Sequence, residues 1–480
     1  MRVAPHVEGA DLPFDDRVRV FASDLAPADE GIVSRIAAAV PGDVAAPPVV
    51  LPDFHHKGDL EMPSSIAVAT RETINQVFTS ASVNCGMALI ALEASEPDRR
   101  AIESFYRAVI ERYPHPPSSR PELSLPEVRR AAATGAEFSA ERDDVDAADL
   151  ERIEEGGRLD LEAFGGAARL KRALPRFTMQ LSRLRFGAVG PSNHFLELQV
   201  VEELLDPAAA AVLGVEQGQL VIQYHAGGGV LTGQVGRLFA RRKKASKALR
   251  YQMAVQKPLF HLLRARSIAE ARRRLFYFFD ESNPPIPRAT PEGEEVMLAN
   301  AAAMNYGFAF RLATYSSVRT LAAEHLGARS SRLVVDSPHN SIYEEEVAGE
   351  PAIVHRHNSC RAYPASKMAP GTAFGRVGQA LLLPGTNRTS SYLCVAGDHA
   401  ERSLYSACHG AGTLISDFEA RGLSRPDVRD RRTLRFRYSS AAPEALPHLD
   451  DRGVDTALSV LATNGLVRPV ARMRPLAVLT

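Results

Sequence analysis

The sequence predicts an α+β protein, a single large domain in which short mixed strands are surrounded by helices. Three observations carry that reading. Apolar runs bounded by Gly, Pro and Asn (Leu333-Val334-Val335, Ala352-Ile353-Val354, Ala380–Leu383 and Tyr392–Ala396) read as short buried strands. An Ala-rich stretch from Glu294 to Leu326, closed by Gly327, reads as one long helix. The two element types follow one another without regular alternation, which favours α+β over a doubly wound parallel sheet.

In chain order, residues 1–50 form a lead-in of short apolar pieces and Pro-rich joints, such as Ala45-Ala46-Pro47-Pro48. Residues 51–480 form the main domain. From Val49 to about Leu92 apolar stretches alternate with small or polar turns. A helix is expected near Pro97–Tyr113, with Pro97 tolerated in its first turn and Pro114-His115-Pro116-Pro117 ending it. An acidic insertion at about 137–162 carries eleven acids against three Arg and reads as a solvated helix face plus loop. The opposite bias follows at 237–274. Arg237–Arg250 holds seven cations and no acid, and Arg264–Arg274 five Arg against one Glu. This basic segment is a candidate phosphate-backbone surface. It has little aromatic interleaving, so a base-stacking groove is not expected.

Charge and cysteine content narrow the setting. Lys+Arg and Asp+Glu both total 57, so any polyanion must be held by a local patch. Four Cys in 480 residues do not make a disulfide scaffold and fit a reducing compartment. Met1 to His6 shows no apolar signal core, and no apolar run reaches the ~20 residues of a spanning helix. A cytoplasmic protein with no membrane partner is the expectation.

The candidate chemistry sits at strand ends. Asn84-Cys85-Gly86-Met87 places a thiol among small and polar neighbours, where an exposed turn is expected. Asn193, His194 and Glu197 crowd into otherwise apolar text, and Leu220–His225 reads as a strand running into a Gly-rich turn. That turn lacks the P-loop spacing. His339-Asn340, His355-Arg356-His357, Pro384-Gly385-Thr386 and Cys408-His409-Gly410-Ala411-Gly412 complete the set. A His followed by three small residues is open on one side, as a nucleophile or ligand requires. One Cys and several His on such loops make a divalent transition-metal site the leading hypothesis. Thiolate and imidazole by themselves favour zinc over manganese.

These segments, in this order, resemble the RtcB family of RNA ligases. Pro52-Asp53-Phe54-His55, Asn84-Cys85-Gly86-Met87, Ser192 to Glu197, His225-Ala226-Gly227, Met304-Asn305-Tyr306, His339-Asn340, His355-Arg356 with Arg361-Ala362, Pro384-Gly385-Thr386 with Ser391-Tyr392, and Cys408 to Gly412 carry the likeness. The resemblance implies ligation of a 3′-phosphate or 2′,3′-cyclic phosphate RNA end to a 5′-hydroxyl end, with GTP and Mn2+ as cofactors. His409 would carry GMP. Cys85 would bridge two metals, with His194 on one and His225 and His339 on the other. Asn193, Phe195, Glu197, Asn340, Pro384, Gly385, Thr386, Asn387, Ser391, Gly410, Ala411 and Gly412 would line the guanylate site. RNA ends are the implied partner, and the family also knows an archease-type activator.

The chain departs from the family pattern at several places. Ser82 stands where the family has a metal-binding Asp, Gly228-Gly229 replace Ser-Arg, His357 replaces Lys, and Thr413 replaces Arg. Asn387 and Arg388 alter the Pro384 turn, and Thr480 stands where a nucleotide-contacting Lys is usual. Lys57, Arg356, Arg361 and Arg388 are the expected replacements for the lost phosphate-facing charges. The alternative expectation is a non-ligating paralogue that keeps the fold and binds RNA ends.

Overall fold

The computed structural model describes residues 17–55, 62–116, 120–190, 194–242, 247–440 and 442–480. Its centre is a nine-stranded sheet. In spatial order the main path runs Ala380–Leu383, Ser391–Ala396, Val467–Leu479, Phe195–Leu204, Leu220–Ala226, Gly86–Leu92 and Ser331–Pro338, each antiparallel to its neighbour. The strand Arg432–Phe436 adds in parallel along Val467–Leu479. Gly86–Leu92 is buried along its whole length. Both of its faces are covered, which is why it reads as an unbroken apolar run rather than an alternating one.

One face of this sheet packs on the long helix, Pro291–Leu326, where Ala88, Ile90, Leu198 and Ile222 join Ala302, Phe308 and Leu312 in one core. The Thr290 hydroxyl caps the helix start by accepting the Gly293 N–H. Gly327 ends it in the left-handed region at φ 65°. The helix therefore matches its expected stretch and begins three residues earlier, at Pro291. The opposite face packs on the short helix Pro207–Leu213.

A second, five-stranded sheet is ordered Arg19–Val20, Val49–His55, Ser64–Thr70, Glu350–His357 and Asn340–Val347. The two sheets meet at one residue. Ser331–Pro338 ends in the first, Asn340–Val347 begins in the second, and only His339 separates them.

The C-terminal strand Val467–Leu479 lies in the middle of the first sheet, although Pro469 and Pro475 interrupt its sequence. Proline cannot donate to a ladder, and the pairing slips beside both of them, at Leu393/Cys394 and Pro475/Ala477. Among the described residues no helix is long and apolar enough to cross a membrane.

An ion pair joins the long helix to the sheet. Arg311, fully buried, donates from Nε and Nη2 to Asp336 Oδ1 at 2.8 and 2.6 Å, and from Nη1 to the Asn84 carbonyl. Removing one partner leaves the other charge uncompensated in the core. Asp336→Asn is expected to cost about 3–5 kcal/mol, read as a lowered urea midpoint with an unchanged slope.

Candidate functional site

Because neighbouring strands of the first sheet are antiparallel, the start of one lies beside the end of the next. Cys85 immediately precedes Gly86–Leu92, His194 precedes Phe195–Leu204, and His225 is the penultimate residue of Leu220–Ala226. Register then aligns Phe195 with His225 and His225 with Met87. His339 reaches the same end through Pro338, which pairs with Gly86.

These ligand-type side chains converge. Cys85 Sγ lies 3.1 Å from His225 Nε2 and 3.5 Å from His194 Nε2. Cys85, His225 and His339 offer donor atoms that all lie within 4.8 Å of one another. The His194 and His225 rings stand perpendicular, with centroids 5.0 Å apart.

The backbone around Cys85 is fixed on every side. Asn84 adopts φ 55°, a left-handed conformation that Asn tolerates. Its N–H donates to the Asn340 carbonyl at 2.9 Å, and its side-chain amide donates to the Met304 carbonyl. The His339 N–H donates to the Cys85 carbonyl at 2.9 Å. Gly86 is required by close approach, since a Cβ there would meet Pro338 Cα at 2.8 Å.

The donor set fits a divalent transition metal. A thiol and three imidazoles are the ligands such ions take. Burial, with Arg185 adding to it, lowers His194 to about 4, so its ring is neutral at pH 7 and keeps a lone pair to donate. Gly227 leaves the space clear, because a Cβ there would lie 3.4 Å from His194 Nε2 and 3.7 Å from Cys85 Sγ. Among the described residues no carboxylate joins the cluster. Ser82 contributes its carbonyl to the Cys85 N–H at 3.2 Å.

His409 adjoins the cluster, its ring 4.5 Å from that of His339 and 6.5 Å from that of His225. It follows the strand Ser406–Cys408 and precedes the helix Gly412–Ala420. The Ala411 N–H donates to the Pro384 carbonyl at 3.1 Å, which ties the His409 loop to the Pro384 turn. The Gly385 N–H then donates to Ser391 Oγ at 3.2 Å. Gln199 Nε2 donates to Ser391 Oγ at 3.2 Å and to Glu197 Oε2 at 2.7 Å. Glu197, Gln199, Ser391, Gly385, Pro384 and Ala411 thus form one bonded series leading to His409.

The remaining expected residues are less uniform. Thr386 closes its own turn, its N–H donating to Thr389 Oγ1 at 2.8 Å, and Asn387 is half-buried in the same turn. Phe195 is half-buried with its ring 5.7 Å from that of His225. Asn340 Oδ1 accepts the Asn358 N–H at 2.9 Å. Asn193 lies outside the described residues.

Gln199 and Gln223 carried no role in the sequence reading, whereas Glu197 was expected at the guanylate site. Glu197 Oε1, Gln199 Oε1 and Gln223 Oε1 are buried acceptors without a hydrogen-bond partner among the described residues. Burial pushes the Glu197 carboxyl up to about 8 against the opposing bond from Gln199. Together these oxygens offer acceptors to an N–H-bearing ligand. The available signal was polar residues two apart on apolar strands, Glu197 with Gln199 and Gln223 with His225, since residues two apart share a sheet face. Asp53 also had no stated role. It caps the helix after His409, its Oδ1 accepting the Leu414 N–H at 2.8 Å, while Thr413 Oγ1 lies 3.1 Å from His55 Nδ1.

The structure corrects two of the expected cation replacements, Arg356 and Arg361. Arg356 is fully buried and donates to Glu345 Oε1 and Oε2 at 2.6 and 2.9 Å. Arg361 is buried against Glu155 and lies 3.8 Å from Glu154. A buried guanidinium requires such carboxylates, so neither is available to phosphate. Arg388 pairs with Glu419 at 2.7 Å, and Lys57 lies outside the described residues.

A family model described as tRNA-splicing ligase RtcB matches residues 35–480. The chain is 31% identical over 415 residues to the tRNA-splicing ligase RtcB of Pyrococcus abyssi, an alignment covering 82% of this chain and 42% of that protein. It is 29% identical to the RNA-splicing ligase RtcB of Mycobacterium tuberculosis, covering 82% and 87%. It is 28% identical to the tRNA-splicing ligase RtcB of Thermococcus kodakarensis, covering 90% and 86%. The chain thus spans about four-tenths of the length of the Pyrococcus abyssi relative and most of the other two. It belongs to the RtcB family.

The raised Glu197 pKa has a measurable consequence. Between the ordinary carboxylate value of 4.5 and about 8, the folded chain holds a proton that the unfolded chain has released, so stability falls as pH rises through that window. Glu197→Gln should flatten this decline by roughly 2–4 kcal/mol, measured as the difference between the two proteins' urea midpoints at pH 5 and pH 8.5.

Proposed function

We propose that this member of the RtcB family is an RNA ligase joining 3′-phosphate or 2′,3′-cyclic phosphate ends to 5′-hydroxyl ends with GTP and a divalent metal, in RNA repair or tRNA splicing in the cytoplasm. The observation that carries this reading is the placement of His409 against a cluster of one thiol and three imidazoles. Residues 51–480 carry the chemistry, with 1–50 as a lead-in.

In this reading the His409 imidazole attacks the α-phosphorus of GTP. A nitrogen–phosphorus bond forms, the bond to the bridging oxygen breaks, and pyrophosphate departs. Where the end is a 2′,3′-cyclic phosphate, water first adds at phosphorus and the bond to the 2′-oxygen breaks; an oxygen of the resulting RNA 3′-phosphate then takes the GMP and releases His409. The 5′-hydroxyl oxygen attacks the activated 3′-phosphorus, its proton leaves, and GMP departs as the phosphodiester forms. Cys85, His225 and His339 would hold one divalent cation and Cys85 with His194 a second, and these cations would neutralise charge during the displacements. Mn2+ is the ion the resemblance implies, and the thiolate–imidazole set also suits zinc.

The chain's own groups position the nucleotide. Glu197, Asn340 and the Ser391–Gly385–Pro384 series would meet its base with hydrogen-bonding groups beside the Phe195 ring, and the resemblance assigns Asn193 to the same site. Thr386 and Asn387 shape the adjoining turn, and Gly410, Ala411 and Gly412 keep one side of His409 free of bulk. Asp53 holds the helix that follows.

A second reading, a paralogue that binds RNA ends without ligating them, is favoured by one set of observations. Thr413 replaces a charged residue, and Arg356 and Arg361 are committed to internal carboxylates. Incubation with α-labelled GTP and Mn2+ separates the two. Acid-labile label on the parent chain and none on His409→Ala is the expected result. A folded parent that takes no label from any nucleotide with any metal would leave the binding paralogue. Metal content of the purified protein, read by mass spectrometry, should fall by about tenfold or more in Cys85→Ser.

A further inference from the structure

We propose that the outward face of the helix Lys247–Leu262, with the groove beside it, is a docking site for an amphipathic helix of a partner protein that carries carboxylates beside its apolar stripe. Among the described residues, none of the metal cluster or of the series leading to His409 lines this groove, and the inference holds whether or not the chain ligates RNA. The helix has its polarity reversed. Its buried residues are Gln256, Lys257, Phe260 and His261, three of them polar. Tyr251, Val255, Leu259 and Leu263 follow one another at intervals of four and are 76%, 62%, 52% and 79% exposed. A surface helix ordinarily shows the opposite arrangement, with its apolar stripe toward the core. A contiguous apolar face left in solvent marks a contact surface.

The groove is preformed. It measures about 580 Å³ and is lined from this helix and from the short helix Arg176–Leu181, with Val255, Leu259 and Leu263 on one side and the exposed Phe177 on the other. Gln256 Nε2 donates to Thr178 Oγ1 at 2.6 Å and to Gln234 Oε1 at 3.2 Å, so buried hydrogen bonds join the two walls. A flat bilayer surface leaves such a concavity unfilled, whereas the side-chain ridge of a helix enters it.

Charge selects the occupant. Among the described residues the groove is lined by two guanidinium groups, Arg176 and Arg264, and by no carboxylate. Arg176 is exposed and has no ion-pair partner among them. Arg264 is held in place, 4.2 Å over the Phe260 ring with Nη2 donating to the Lys171 carbonyl at 3.2 Å. Its Nη1 is buried and has no acceptor among the described residues, and burial pushes the group below the ordinary arginine value. A carboxylate on the occupant supplies the acceptor that Arg264 lacks and a counter-charge for Arg176. A second copy of this chain fits less well, because pairing the face with itself brings two sets of these guanidinium groups into one interface. A phosphodiester strand meets an apolar floor that offers its backbone nothing.

The test uses the full chain and two synthetic amphipathic helices of equal length with the same leucine stripe, one flanked by Glu and the other by Lys. Affinity is read by fluorescence anisotropy. The parent should bind the Glu-flanked peptide about tenfold more tightly than the Lys-flanked one. Leu259→Asp and Leu263→Asp, both at exposed positions, should each weaken that binding about tenfold, and Arg176→Glu should remove the preference between the peptides. If the Asp variants do not fold, Arg176→Glu decides. Unchanged binding in the folded variants overturns the inference, and so does equal affinity of the parent for the two peptides. Light scattering of the parent alone addresses a second copy. A mass of two chains that Leu259→Asp returns to one would make this face a self-interface and overturn the partner helix. Phosphatidylserine vesicles that hold the parent and not Leu259→Asp, with neither peptide bound, would assign the face to a lipid surface and overturn it as well.

Discussion

The candidate site depends on a guanidinium sealed inside an apolar core. Arg311 projects from the long helix into the sheet, where Asp336 neutralises it and the Asn84 carbonyl takes a further N–H. Burying that charge is tolerable only while both partners stay in place. The same interaction that makes the core safe for a charge therefore fixes the residue preceding Cys85. Asp336 lies three residues before His339 on the neighbouring strand. One ion pair thus couples the helix to two of the ligand-bearing segments, and the hydrogen bond from His339 N–H to the Cys85 carbonyl completes the link.

Around this anchor the molecule separates two electrostatic environments. The thiol–imidazole cluster lies against a bonded series of neutral or protonated polar groups, including a Glu197 carboxyl raised to about 8. Elsewhere Arg356 and Arg361 are committed to internal carboxylates.

Several elements were legible because their local pattern and their environment agree. The long helix has a capping Thr, an N-terminal Pro and a closing Gly, and it forms over almost the expected range. Ala380–Leu383 forms with the expected ends, since a short apolar run between turn residues has little alternative. Val467–Leu479 was not legible. Its two prolines and its arginines argue against a central strand, and only the register slips in the surrounding sheet make room for them. The acidic stretch gave a mixed outcome. It carries solvated charges, yet Asp149 accepts from Tyr315 and the Leu333 N–H, and Glu154 accepts from Tyr343 and Gln379. Composition records how many charges a segment has, not which of them point inward.

By itself the sequence determined the long helix, several short strands, the α+β class and the residue kinds of the site, because periodicity, capping and ligand chemistry are local properties. Only the tertiary structure decided that Cys85, His194, His225 and His339 share one cluster, with His409 beside them, although they lie far apart in the chain. It likewise decided that Arg356 and Arg361 face carboxylates while Lys257 faces a cavity. The physical reason is the same in each case. Strand pairing and burial assign every side chain a neighbour and a dielectric, and neither is encoded by the residues adjacent to it in sequence.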